Sequence, residues 1–326
     1  VKSRLIRSIR IAVIVAIDTV AAPVLVVGPA VWAARPQPQH AARRTVKEGH
    51  LMLTQHPDTP GEVGTFYNRH TDVYDRALGG NIHVGYWDDE ADDSPMREAT
   101  DRLTDLVAER LAPAEGQQLL DVGCGHGSTA ARIIAHHAVQ ITGVSVSDYQ
   151  VDLANNRPQP PDLPGRATFR LADAMELPFP DESFDGAYAI ESLMHMKDKE
   201  AAIGHIARVL RPGGRLVIAE HHLEGELDLP DVARMADAYA FFKFSLSTDR
   251  YGKLLREAGL KVVDYTDITE NVRRSYDSMV GAWRDAARSD LDGEAAREWE
   301  TAADLGEWFF GAVPQLRYGF LTAVRP

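Results

Sequence analysis

A short run of glycines behind a strand-like stretch offers the first chemistry. Leu119-Leu120-Asp121-Val122 leads into Gly123-Cys124-Gly125-His126-Gly127, and a helical pattern follows. Glycine lets a backbone turn sharply and approach a ligand closely, and helix N-termini attract negative groups. A dinucleotide site wants G-x-G-x-x-G and an acid roughly 20 residues on. Here the spacing is G-x-G-x-G, and the next strand ends at Ser145. Asp121, just before the glycines, would repel a pyrophosphate but suits the ammonium group of an amino-acid-like ligand. The loop therefore favours S-adenosylmethionine over NAD. Cys124 reads as a small packing residue, since no neighbour points to a thiolate. His126 reads as a solvent-facing spacer.

Two further residues could move a proton. His195 follows the fourth strand and Glu220 ends the fifth, at the carboxyl edge where ligands bind in such sheets. A histidine with an ordinary pKa of about 6.5 accepts a proton at neutral pH. His221 and His222 alternate faces in a strand, so at most one points into a site. The adjacent pairs His136-His137 and His221-His222 suit a shared metal poorly, and no metal-ligand set stands out.

These residues need elements to hold them. A helix is expected over 62–77. A second starts at Ser94-Pro95, with Ser94 as N-cap and Pro95 in the first turn. Its apolar positions Met96, Ala99, Leu103, Leu106, Val107 and Leu111 keep helical spacing. Strands are expected at 118–122, 140–144, 167–171, 184–190 and 215–219, with helices at 127–137, 148–156 and 198–210 between them. Arg211-Pro212-Gly213-Gly214 marks a sharp stop and a turn. This alternation implies an α/β fold with parallel strands joined by crossovers. Two more strands are expected at 261–266 and 317–324. A helical insert at 272–312 between them carries Trp283, Trp299, Trp308, Phe309 and Phe310.

Composition narrows the function. The 326 residues carry 35 Lys+Arg against 48 Asp+Glu, a net charge of −13. That argues against nucleic acid as a partner. One cysteine excludes an internal disulfide framework, which fits a cytoplasmic protein. The charge is uneven: residues 1–50 carry +6 and the other 276 carry −19. The first fifty also hold an apolar stretch broken by Asp18, Pro23 and Pro29. A leader peptide, a membrane anchor and a misassigned start all fit this extension, and membrane contact depends on its being real. A homo-oligomer is compatible with the sequence.

The run 119–127 (LLDVGCGHG) resembles motif I of the class I S-adenosylmethionine-dependent methyltransferases. Residues 172–184 (ADAMELPFPDESF), 190–196 (IESLMHM) and 209–214 (VLRPGG) are similar to their later motifs. Residues 80–87 (GNIHVGYW) resemble a segment ahead of motif I in natural-product tailoring enzymes. The subgroup is the small-molecule O-methyltransferases of the rebeccamycin sugar O-methyltransferase type, and the resemblance spans 61–326. It implies a Rossmann-like fold: a seven-stranded, mostly parallel sheet, its last strand antiparallel, under a helical lid. The lid would consist of the helix at 62–77 and the insert at 272–312, within a methyltransferase domain over 51–326.

The resemblance also implies roles. Asp121, Gly123, Cys124 and Gly125 would line the methionine end of the cofactor. Ser145 would face the ribose, with Gln150 adding ribose or adenine contacts. Asp173 suits the adenine amino group, with Ala174 and Met175 against the ring. Tyr67 and Trp87 would present aromatic faces to the sulfonium cation. Glu191 would sit under the cofactor or hold substrate. His195, His222 and Tyr86 would touch the acceptor. Glu220, where the subgroup carries Asp, would join His195 as base.

The expected activity is methyl transfer from S-adenosylmethionine to a hydroxyl of a small secondary metabolite, as in antibiotic biosynthesis. It would run by in-line displacement with general-base help and leave S-adenosylhomocysteine. N-methylation of a small amine, C-methylation of a prenyl or sterol-like acceptor, and cofactor binding without transfer remain open at this point. Because Met52 opens a self-sufficient stretch, a protein starting there is expected to bind S-adenosylmethionine as tightly as the 326-residue chain. Calorimetry on the two forms checks this, and weaker binding by the shorter one would return residues 1–51 to the enzyme.

Overall fold

In a computed structural model, residues 59–225, 246–289 and 293–326 are described. The extension at 1–50 lies outside the described residues. The strands are β1 (Gln118–Val122), β2 (Gln140–Ser145), β3 (Arg166–Leu171), β4 (Phe184–Ile190), β5 (Leu210–Leu223), β6 (Lys261–Asp267) and β7 (Leu316–Val324). They form one sheet in the order β3-β2-β1-β4-β5-β7-β6. Pairs from β3 through β5 are parallel, and β7 runs antiparallel to both β5 and β6. This is the expected mostly parallel sheet with an antiparallel last strand.

Parallel strands covered on both faces read as continuous apolar runs, and the two faces separate residue by residue. Leu119, Val217 and Ala219 belong to one core cluster. Leu120, Val122, Leu216 and Ile218 belong to the other. The described helices are α1 (Pro60–Ala77), α2 (Met96–Leu111), α3 (Ser128–His136), α4 (Asp148–Asn156), α5 (Lys199–Val209), α6 (Thr248–Glu257), α7 (Thr269–Ser289) and α8 (Gly293–Ala312).

Two boundaries differ from expectation for local reasons. Ser94 does not cap α2. Pro95 is the N-cap, in extended backbone, and its carbonyl accepts from the Glu98 and Ala99 N–H groups. Ser94 Oγ instead accepts from Arg102. The turn expected at 211–214 is absorbed into β5. Its register against β4 jumps from Phe184↔Leu210 to Gly186↔Arg215, so the turn residues bulge out of the ladder.

Helix α1 starts two residues early because Thr59 and Glu62 form a capping box around Pro60. It then settles on the edge of the sheet. Asn68 accepts from Ser147 Oγ at 2.6 Å, and Gln150 Nε2 donates to Thr71 Oγ1 at 3.0 Å. Gly64 makes this approach possible: a Cβ there would lie 2.3 Å from the Val146 carbonyl oxygen. The insert is the helix pair α7–α8, and its aromatics pack inward. Trp283 meets Tyr74, Trp299 meets His70, and Phe310 stacks on Tyr276 at 4.1 Å.

Alanine is the better helix former by about 1 kcal/mol. Gly64→Ala is nevertheless expected to destabilise the protein, by about 1–3 kcal/mol, through that overlap. Thermal unfolding checks the sign; a raised Tm would mean that α1 does not rest on Val146.

Candidate active site

The glycine loop occupies the gap between β1 and α3. The N–H groups of Gly123 and Cys124 both donate to the Val144 carbonyl at 2.9 Å. Gly123 has φ +79°, and a Cβ there would lie 2.3 Å from Ser192 Cβ. Any larger residue would push the loop off the turn that follows β4. His126 is not the expected spacer. It is 4% exposed, with Nε2 2.8 Å from Asp75 Oδ1 and Nδ1 2.9 Å from Ser128 Oγ. It ties the loop back to α1.

Beside the loop opens a cleft. Its walls bring together Tyr67, Asp121, Gly123, Cys124, Gly125, Ser145, Gln150, Asp173, Ala174, Met175, Glu191 and His195. Ser145 Oγ donates to Gln150 Oε1 at 3.0 Å. Asp173 Oδ1 accepts from the Met175 N–H at 2.8 Å and so caps the short turn Ala174–Glu176. Burial pushes the Cys124 thiol well up, which keeps it protonated. Thr129, Ile82, His83 and Lys197 also line the cleft. Of these, Ile82 and His83 lie in the 80–87 segment, which is the signal that could have pointed to them.

His195 ends the short helical turn Leu193–His195. Its Nε2 lies 2.7 Å from the Tyr67 hydroxyl, across 128 residues of sequence. Burial, with the nearby Glu191 carboxyl, raises the Tyr67 phenol well above its ordinary range. That phenol therefore stays protonated near neutral pH. This pairing is not readable from the sequence, where Tyr67 was expected to face the sulfonium.

Glu191 stands on a strained backbone, φ +47°. Its Oε1 accepts from the Val84 N–H at 2.9 Å and the Tyr318 hydroxyl at 3.0 Å. Burial pushes its carboxyl up to about 7.

Four expected residues lie outside the cleft walls. Glu220 points to the α5–α6 face, because it shares strand parity with Leu216 and Ile218. Its Oε2 accepts from the Met194 N–H at 2.8 Å, and its Oε1 accepts from the Tyr251 hydroxyl. Burial raises the Glu220 carboxyl, while Lys199 pulls it back down. His222 pairs with Tyr265, with Nε2 2.7 Å from its hydroxyl. His221, on the opposite face, packs among Tyr276, Phe310 and Tyr318. Trp87 is 4% exposed and donates from Nε1 to the Ser94 carbonyl. Tyr86 is held by its backbone to Ala99 and Arg102. No described residue of the insert walls the cleft either; its aromatics pack on α1 and on one another. Among the described residues, no cluster of His, Cys, Asp or Glu is placed to hold a metal ion. No described helix is long and apolar enough to cross a membrane.

The cleft fits S-adenosylmethionine at one decisive atom. Asp121 is 2% exposed; the buried Tyr188 hydroxyl bears on its carboxyl, and its Oδ2 has no partner at full hydrogen-bonding geometry. A buried polar atom left unpaired is costly unless a ligand completes it. Burial pushes the Asp121 carboxyl up to about 7, and a bound ammonium group would favour the ionised form. Affinity for S-adenosylhomocysteine should therefore rise with pH, roughly tenfold between about pH 6 and pH 8. Asp121→Asn should bind more weakly and lose that slope. Calorimetry at the two pH values checks both, and a slope surviving in the variant would assign it to Glu191.

A family profile described as a methyltransferase domain matches residues 120–218. The O-methyltransferase cnsE of Penicillium expansum is 47% identical over 221 residues, covering 68% of this chain and 79% of the relative. The 27-O-demethylrifamycin SV methyltransferase of Amycolatopsis mediterranei is 39% identical over 272 residues, covering 82% and 98%. Among solved structures, the [4+2]-cyclase SpnF superposes with a TM-score of 0.71 at 32% identity, covering 84% of this chain and 98% of that one. Identity of this order over most of the chain, with the glycine loop and the buried Asp121 carboxyl beside one cleft, makes this chain a class I S-adenosylmethionine-dependent natural-product O-methyltransferase.

Proposed function

We propose that the protein methylates a hydroxyl on a polyketide-like metabolite, with His195 as the general base. The observation that carries this is the 2.7 Å contact between Tyr67 and His195 in the wall of the cleft that also holds Asp121. S-adenosylmethionine supplies a methyl group already activated by the sulfonium. Much of the work left to the protein is alignment, together with removal of the acceptor's proton. Tyr67 is kept neutral by burial. With Nε2–H donating to the Tyr67 oxygen, the imidazole is oriented and its Nδ1 lone pair is left to take that proton.

The name of one relative supports a secondary-metabolite acceptor. That relative acts, by its name, on 27-O-demethylrifamycin SV. C-methylation of a prenyl or sterol-like acceptor would need groups in the cleft that stabilise a carbocation, and neither Glu220 nor the described aromatics of the insert line it.

The purified protein should add one methyl group to a hydroxyl within a panel of polyketide alcohols that includes 27-O-demethylrifamycin SV. Mass spectrometry of the products reads this. With the acceptor so found, His195→Ala should lower kcat by about 10²–10⁴. Tyr67→Phe should lower it less, by about tenfold. Full turnover by His195→Ala at saturating acceptor would refute the base assignment.

A further inference from the structure

The turn that carries His195 is gripped by two oppositely charged side chains. The Met194 N–H donates to Glu220 Oε2 at 2.8 Å. Lys199 Nζ donates to the Met194 carbonyl at 3.3 Å and to the Met196 carbonyl at 2.9 Å. The peptide groups on either side of His195 are thus held by side chains from two different elements, β5 and α5. The Tyr251 hydroxyl of α6 donates to the second Glu220 oxygen, so both oxygens of this carboxylate are engaged.

Both groups are buried: Glu220 is 2% exposed and Lys199 5%. Lys199 is also the first residue of α5, where the helix dipole opposes a cation. Each group on its own would be costly to bury, and together they offset one another. Removing either charge leaves the other uncompensated, so both contacts to the turn depend on the pair.

We propose that Glu220 and Lys199 form a clasp that sets the position of the His195 ring in the cleft wall. Both are positioning residues, acting through the backbone of the 193–196 turn. The inference rests on the reading of His195 as the base, but its test does not. Once Lys199 is lost, Glu220 keeps its proton and its bond to the Met194 N–H weakens. Once the Glu220 charge is lost, Lys199 is drawn toward water or deprotonated, and the two carbonyls are released.

The test uses the full chain loaded with S-adenosylhomocysteine and labelled with ¹³C at histidine Cε1. The His195 resonance is assigned by its disappearance in His195→Gln. Lys199→Met and Glu220→Gln should each move that resonance and shift its titration midpoint by about 0.5 unit or more. Affinity for S-adenosylhomocysteine should stay within about threefold. Leu216→Ala, a core change on the same face of β5, should lower stability and leave His195 unmoved. Where Lys199→Met does not fold, Lys199→Gln, which also removes the charge, carries the same comparison. An unmoved His195 in both clasp variants overturns the proposal. So does an equal movement in Leu216→Ala, which would mean general loosening. Turnover of His195→Ala separately decides whether that ring is the base, so the two failures are distinguishable.

Discussion

Ser192 Cβ stands where any side chain at position 123 would have to go. The loop after β1 and the turn after β4 therefore share one contact surface. Ser192 Oγ adds a 2.6 Å bond to the Val122 carbonyl, so the two segments move together or not at all. One of them carries the glycines beside Asp121, and the other carries Glu191 and His195. Every distance between the cofactor side and the acceptor side of the cleft inherits this contact. It is made possible by a backbone at φ +79° that glycine adopts without strain.

Around that contact, the carboxyl end of the sheet is dense in buried acids. Burial pushes Asp121, Glu191 and Glu220 all upward, yet each is treated differently by its surroundings. Glu220 has a lysine and two donors. Glu191 has two donors at one oxygen. Asp121 has the Tyr188 hydroxyl bearing on its carboxyl and an Oδ2 without a partner at full hydrogen-bonding geometry. The same side-chain chemistry thus yields a structural anchor, an oriented wall and an open receptor for positive charge.

The scaffold was legible where local pattern and burial agree. β1, β4 and α4 begin and end where expected, because each is a short apolar or amphipathic run between turn formers. The glycine loop was legible because its spacing is dictated by close approach. Direction was not. Glu220 was read as the end of β5, but the strand runs on to Leu223, and which face of it looks at the cleft depends on where α5 and α6 lie. His126 looks exposed among glycines, and its burial is decided by Asp75, 51 residues away. Trp87 and the insert's aromatics announce burial without saying against what. Lys199 did leave a trace, as a lysine opening a helix where a cation is out of place.

Helix α1 is reached early in the chain and yet serves the centre of the site. Its first residues, Thr59 and Pro60, line the cleft, and two turns later Tyr67 meets His195. A substitution in the first turn of α1, about 60 residues ahead of the glycine loop in sequence, is therefore also a change in the wall of the cleft.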